Sequence, residues 1–213
     1  MRRRKGDERA LTSVVEDLVE DGSIADPKSA RGRLLATAAH LFREKGYDRT
    51  TVRDLAGALG IQSGSLFHHY KTKEDILIAV MEETIAVSTE RLRRGVDPES
   101  PPRERLVQLI HCELQGILGE TSDALAVLVY EWKRLSGEAR DTLMVARAGY
   151  EALWMACLEE LEQADELTME APVARKLLIG ALSWTFNWFD DQGVLTGYEL
   201  AERASRMFLK PQS

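Results

Sequence analysis

The 213-residue sequence predicts an all-α protein with a small three-helix head and a larger helical body. Three observations predict it. Apolar residues recur at three- and four-residue spacing through almost every segment. No stretch alternates apolar and polar as a half-buried strand does. Glycine, proline and capping residues fall between the periodic stretches, where helices start and stop.

Taken in order, Asp26-Pro27 reads as a helix start, an N-cap acceptor followed by proline at the first helical position. Leu34, Leu35, Ala38, Leu41 and Phe42 continue as one apolar stripe, ended by Lys45-Gly46. Thr51 with Asp54 has capping spacing and opens a short helix whose inner face is Val52, Leu55, Ala56 and Leu59, stopped by Gly60. A third short helix starts near Ser63 and sets Leu66 and Tyr70 one turn apart. Thr72 caps a longer fourth helix through Ile76, Leu77, Val80, Met81, Thr84 and Ile85. GVDPESPP (95–102) is the clearest break in the chain, and periodic segments follow it to about Leu209. A helix from about Ala171 to Asp191 is apolar over most of its circumference, and Thr196 with Glu199 has the spacing of a capping box for the last one.

The net charge of −7 conceals an asymmetry. Residues 1–73 carry 14 Lys/Arg against 10 Asp/Glu, whereas residues 74–213 carry 14 against 25. A basic head on an acidic body suits a polyanion-binding domain joined to one that does not bind polyanions. No apolar run approaches the roughly 18 residues of a membrane span. The basic start is interrupted by Glu16, Asp17 and Glu20 and lacks a signal peptide's apolar core, so a cytoplasmic protein is expected. Cys112 and Cys157 are too few for a disulfide framework and read as buried thiols.

Residues 51–70 have the dimensions of a helix-turn-helix. Gly60 allows the tight turn, and Leu55, Ala56, Leu59, Ile61 and Leu66 hold the two helices together. A recognition helix needs small groups where its backbone nears DNA, supplied by Ser63, Gly64 and Ser65. It also needs side chains that reach base edges, supplied by Gln62, His68 and His69. Thr51, Arg53, Lys71 and Lys73 would contact phosphates. Adjacent histidines on a helix point about 100° apart, so His68 and His69 are poorly placed to share a metal, and neither metal nor cofactor is expected. Arg2, Arg3, Arg4 and Lys5 form either an arm along the DNA or a solubilising terminus.

On the ordered run LLATAAHLFREKGYDRTTVRDLAGALGIQSGSLFHHYKTKEDIL, residues 31–82 resemble the amino-terminal domain of TetR-type bacterial regulators. The resemblance implies a DNA-binding face of Thr51, Arg53, Gln62, Ser63, Gly64, Ser65, Phe67, His68, His69, Tyr70 and Lys73. The family usually has tyrosine where this chain has Phe67, so Phe67 is expected to make van der Waals contact only, with Tyr70 either supplying the hydroxyl or packing inward. The chain is expected to divide into a flexible basic extension (1–25), in which Leu11, Val14, Val15 and Leu18 could form an extra helix, a helix-turn-helix DNA-binding domain (26–73) and a ligand-binding and dimerisation domain (74–213).

In the body, Tyr130, Trp132, Tyr150, Trp154, Phe186 and Asn187 are the candidate ligand-binding residues. Val173, Leu177, Ala181, Trp184 and Trp188 form one stripe of the 171–191 segment, and Leu178, Leu182, Phe186 and Phe189 form another. Two apolar stripes imply burial on two sides, one in the core and one against a second subunit. Leu177, Ala181, Trp184 and Trp188 are assigned to the dimer interface, because the resemblance places a four-helix interface in the last two helices. The expected protein is a homodimeric repressor, released from a palindromic operator by a small lipophilic effector of fatty-acid or acyl-CoA type. The competing readings are a small all-α enzyme using a histidine, and a helical protein-interaction module.

Overall fold

In a computed structural model, residues 13–66, 68–119, 121–190 and 193–211 are described. Their secondary structure is helical, apart from an isolated antiparallel bridge between Leu167 and Leu209. The helices are α1 (13–20), α2 (Ala30–Lys45), α3 (Val52–Leu59), α4 (Ser63–Leu66) and α5 (Lys73–Gly95). They continue with α6 (Pro102–Leu118), α7 (Ser122–Tyr130), α8 (Gly137–Gln163), α9 (Ala171–Trp184) and α10 (Gly197–Arg206). Single 3₁₀ turns lie at Trp132–Arg134 and Thr185–Asn187. None of the described helices is long and apolar enough to cross a membrane.

The chain divides into two compact units. The first holds the described residues up to Val87 together with Asp123–Arg147; the second holds Ser88–Ser122 and the described residues from Ala148 onward. The expected boundary after residue 73 is therefore not where the packing parts. The start of α5, α7 from Asp123 onward and the start of α8 belong with the head, because Ile76, Leu77, Met81, Val127, Leu135 and Leu143 share one core with Leu34, Phe42, Leu55 and Leu66.

At the head's start one alternative is borne out and one expectation corrected. Of the two readings of the first 25 residues, the extra helix holds over the described part: α1 is amphipathic, and Val14, Leu18 and Ile24 are buried in a cluster with Val87. The arm at Arg2–Lys5 lies outside the described residues. Helix α2 begins at Ala30, not at Pro27. Its cap is Ser29, whose side chain accepts from the Gly32 N–H, while Asp26 makes a preceding turn by accepting from the Ser29 N–H and hydroxyl.

In the second unit α6 packs against both α9 and α10. Leu106, Leu109, Ile110 and Leu114 of α6 are buried, as are Leu158 and Leu161 of α8 and Leu178 and Leu182 of α9. The end of the chain is clasped: Thr168 N–H donates to Phe208 O at 3.0 Å, Lys210 N–H to Glu166 O at 2.8 Å, and Arg103 Nη2 to Lys210 O at 2.7 Å. That clasp ends α10 at Arg206, short of the expected Leu209. Helix α9 also stops early, at Trp184, where the Thr185 hydroxyl donates back to Leu182 O at 2.7 Å and a 3₁₀ turn follows.

Both cysteines are buried and unbridged. Burial pushes the Cys157 thiol up to about 11, and its Sγ–H donates to Pro102 O at 3.3 Å. The thiolate is the reactive form, so native protein at pH 8 will resist iodoacetamide at Cys157 until denaturant is added. Rapid labelling of Cys157 in the folded state, read by mass spectrometry, would contradict that environment.

Candidate nucleic-acid interface

The interface is built from the loop after α2, then α3, α4 and the turn behind α4. Helix α3 starts with a complete capping box: Asp54 N–H donates to Thr51 Oγ1 at 3.1 Å and Thr51 N–H to Asp54 Oδ2 at 2.8 Å. The Thr51 hydroxyl also donates to Asp54 Oδ2 at 2.6 Å, and Lys45 Nζ lies 3.2 Å from Oδ1. Hydrogen bonds from Thr51, then from Lys45, hold the Asp54 carboxyl down at about 2. Gly60 ends the helix at φ +68°, a conformation that costs a side-chain-bearing residue energy, and its N–H closes back on Ala56 O and Gly57 O. The turn docks α4, whose Leu66 is buried in the head core.

With Leu66 as the anchor, the residues around it face outward. Thr51, Arg53, Gln62, Gly64, Ser65, His68 and His69 are exposed, Lys71 with them, and Ser63 is half-buried. The histidines differ from expectation in setting. Helix α4 as described spans only Ser63–Leu66, and His68 and His69 occupy the turn that follows, their N–H groups donating to Ser65 O and Leu66 O. Among the described residues no group of three or more His, Cys, Asp or Glu could hold a metal ion. Phe67 lies outside the described residues.

Tyr70 and Lys73 support this surface from behind. The Tyr70 ring is half-buried against the core, and its hydroxyl accepts from Arg31 Nε at 2.8 Å. Arg31 Nη2 in turn donates to Glu83 Oε1 at 3.3 Å, and that oxygen also accepts from Ala25 N–H at 2.9 Å. Burial raises the pKa of Tyr70, so the phenol keeps its proton at neutral pH. The Lys73 ammonium spends two of its three donors inside the head, on Tyr47 O at 2.7 Å and Thr50 O at 2.9 Å, and stands 4.1 Å from the Tyr47 ring centroid. It staples the loop that presents Thr51.

Residues the sequence did not single out fix that loop from the other side. Tyr47 N–H donates to Glu131 Oε1 at 3.1 Å, Arg134 Nη1 lies 2.7 Å from Asp48 Oδ2, and Asp123 at the start of α7 takes both Arg43 and His40 of α2. These partners are about 80 residues apart in sequence, and no local pattern signals them.

The candidate ligand residues are not brought into one group. Tyr130 and Trp132 belong to the first unit, where Tyr130 is exposed and Trp132 lies 5.2 Å beneath the Arg147 guanidinium. The other four belong to the second. There Tyr150 donates its hydroxyl proton to Glu113 Oε2 at 2.8 Å, Trp154 is fully buried, and Phe186 and Asn187 stand exposed on the 3₁₀ turn after α9. The dimer candidates do form one feature: Val173, Leu177, Ala181, Trp184 and Trp188 are all exposed, while Ala174, Leu178 and Leu182 on the same helix are buried.

Comparison with known proteins agrees with this geometry. Residues 34–80 match the family described as bacterial regulatory proteins, tetR family, and residues 99–211 match the tetracyclin repressor-like C-terminal domain. The HTH-type transcriptional repressor KstR2 of Mycolicibacterium smegmatis is 33% identical over 138 residues, 64% of this chain and 66% of that protein. The alignments cover less than two thirds of the first four curated relatives. A solved structure described as the superantigen pfit is 48% identical, with a TM-score of 0.77 over 94% of this chain and 100% of that one. AibR, solved with isovaleryl coenzyme A and operator DNA, shares the fold at 23% identity, with a TM-score of 0.76 over 86% of this chain and all of the other. The second match alone spans more than half of the chain, and together the two show that the chain belongs to the tetR family of bacterial regulatory proteins.

Proposed function

We propose that the chain is a cytoplasmic, ligand-responsive transcriptional repressor without catalytic activity, whose homodimer reads a palindromic operator. The observation that carries this reading is the head's surface. A short helix is pinned by buried Leu66, and around that anchor the described residues Gln62, Gly64, Ser65, His68, His69 and Lys71 are exposed. Gln62, His68 and His69 take the base edges, while Thr51, Arg53, Tyr70 and the remaining donor of Lys73 take phosphates. At Gly64 nothing lies within 4 Å of where a Cβ would stand, so the fold does not require glycine there. Close approach of the DNA backbone does.

The description of KstR2 as a repressor supports the reading, and AibR's co-crystallisation with an acyl-CoA and operator DNA supports a lipophilic effector of fatty-acid or acyl-CoA type. Of the candidate contacts, Tyr150, Trp154, Phe186 and Asn187 share the second unit and are kept, whereas Tyr130 and Trp132 belong to the first. Helices α5 and α8 each run from the first unit into the second. An effector that binds one arrangement of those helices better than another changes the head's affinity for DNA by that same difference.

The test is fluorescence anisotropy with DNA from the gene's own upstream region, at several salt concentrations. Wild-type protein will bind, and the affinity will fall steeply with salt. His69→Ala and Gln62→Ala will each weaken binding by about 5- to 150-fold, the range for a lost base contact. Gly64→Leu will weaken it without lowering the melting temperature. Failure of the wild type to bind any upstream fragment at low salt would refute the repressor reading.

A further inference from the structure

Arg31, the second residue of α2, carries no role in the sequence pattern, yet it is bonded to a residue of the DNA-reading surface. Its Nε–H donates to the Tyr70 hydroxyl oxygen at 2.8 Å. Its Nη2 donates to Glu83 Oε1 at 3.3 Å, so its charge is already answered within the head. Glu83 is itself held, because the same oxygen accepts from the Ala25 N–H at 2.9 Å. Arg31 therefore sits between an acceptor on α5 and an acceptor in the turn after α4.

The turn does not need this bond to keep its shape. Its backbone is closed by the His69 and Tyr70 N–H groups, both donating to Leu66 O, and Leu66 is 1% exposed. The Tyr70 ring packs against the head core. The Arg31 side chain is 49% exposed, and a contact so open to water adds little to stability. What the bond does fix is the direction of a proton. A phenol oxygen has one proton and two lone pairs. With Arg31 on the acceptor side, the proton is turned away from the guanidinium, and among the described residues no acceptor takes it. Tyr70 directly follows exposed His68 and His69 and precedes exposed Lys71. A hydroxyl there that is left only to donate suits a partner that only accepts, which the backbone of duplex DNA supplies in its phosphate oxygens.

We propose that Arg31 is a positioning residue for DNA binding: it holds the Tyr70 hydroxyl as a donor to a backbone phosphate and does not bind that phosphate itself. Glu83 keeps Arg31 in this role by anchoring the guanidinium and offsetting its charge. The proposal rests on the repressor reading above and names the residue that sets one of its phosphate contacts.

The test is anisotropy on the shortest upstream duplex that wild-type protein binds. Its phosphates are replaced in turn, symmetrically in both half-sites, by uncharged methylphosphonates. At one of the positions that matter to wild type, replacement will cost about tenfold or more in affinity, as for a hydrogen bond to a charged group. At that position it will cost Tyr70→Phe and Arg31→Met about twofold or less, because neither presents the oriented donor. At the other positions both variants will follow wild type. On unmodified DNA Arg31→Met will bind about tenfold or more weakly, with its melting temperature and its salt slope unchanged. Added to Tyr70→Phe, it will cost about twofold or less further. Arg31→Ala is made alongside, so that the result does not depend on how one substitution folds.

A purely structural tie would weaken binding without changing the methylphosphonate pattern, and that result overturns the proposal. So does a salt slope that falls by about 0.9 for each head in Arg31→Met, which is the loss of a direct phosphate contact. If wild-type protein binds no upstream duplex at low salt, the repressor reading and this proposal fail together. Wild-type binding with an unaltered pattern in the Arg31 variants removes this proposal alone.

Discussion

Leu177→Asp combined with Trp184→Asp will leave a folded monomer that has lost about 10²- to 10⁴-fold in operator affinity. The two side chains are 54% and 61% exposed in the single chain, so neither belongs to the buried core of the second unit. They stand with Val173 and Ala181 on one exposed apolar stripe of α9, with Trp188 exposed just beyond its 3₁₀ turn, larger than a solitary surface hydrophobe and of the kind that marks an interaction face. In a two-fold dimer the same stripe meets itself, and two heads are carried to two half-sites. Once the second head is no longer tethered to the first, its effective concentration at the neighbouring half-site is lost. Light scattering will show the mass fall from twice 23.9 kDa to 23.9 kDa, with helical content unchanged. Leu178→Asp is the control: one position along, the side chain is 1% exposed, and a charge there will unfold the unit. A double variant that stays dimeric would place the interface elsewhere.

What was legible in the sequence was mostly local. Both capping boxes, Thr51 with Asp54 and Thr196 with Glu199, form as their spacing predicts, and Gly60 adopts the left-handed conformation that the turn requires. The two stripes of α9 were also legible, because helical periodicity states which faces are apolar. It does not state what covers them. Nothing near Phe42 or Leu55 announces that Val127, Leu135 and Leu143 complete their core, so the head's packing extends beyond residue 73. Charge is similarly ambiguous. Lys73 reads as a phosphate contact because its position matches the family, yet two of its donors serve the carbonyls of Tyr47 and Thr50, a use visible only once the chain has folded. Tyr70 and Arg31 are 39 residues apart and become partners only when the turn after α4 folds back to α2. Helix ends were the least legible, since Ser29 and Asp26 are both good caps and the geometry of the preceding turn decides between them.

Phe42→Ala will destabilise the first unit by about 3–5 kcal/mol, which for a chain of this size lowers the melting temperature by roughly 6–20 °C. The ring is 1% exposed and meets Tyr47 edge-on at 5.2 Å between centroids. Its loss leaves a cavity that the surrounding helices can close only in part. The effect will not stop at the DNA-binding residues, because α7 and the start of α8 pack into the same core. Tyr47 in turn carries the carbonyl that Lys73 holds and the N–H that Glu131 accepts, so loosening its ring loosens both staples of the loop before Thr51. Hydrogen exchange will therefore show protection falling together in α2, α3, α7 and residues 137–147, and operator affinity will fall even at temperatures where the variant remains folded. If protection is lost only between residues 26 and 73 while α7 keeps its own, the head is an independent domain and the shared core does not couple them. Joint loss means that a change at α7 or α8 reaches the DNA-reading surface through packing alone, with Glu131, Arg134 and Asp123 as its polar contacts to the head.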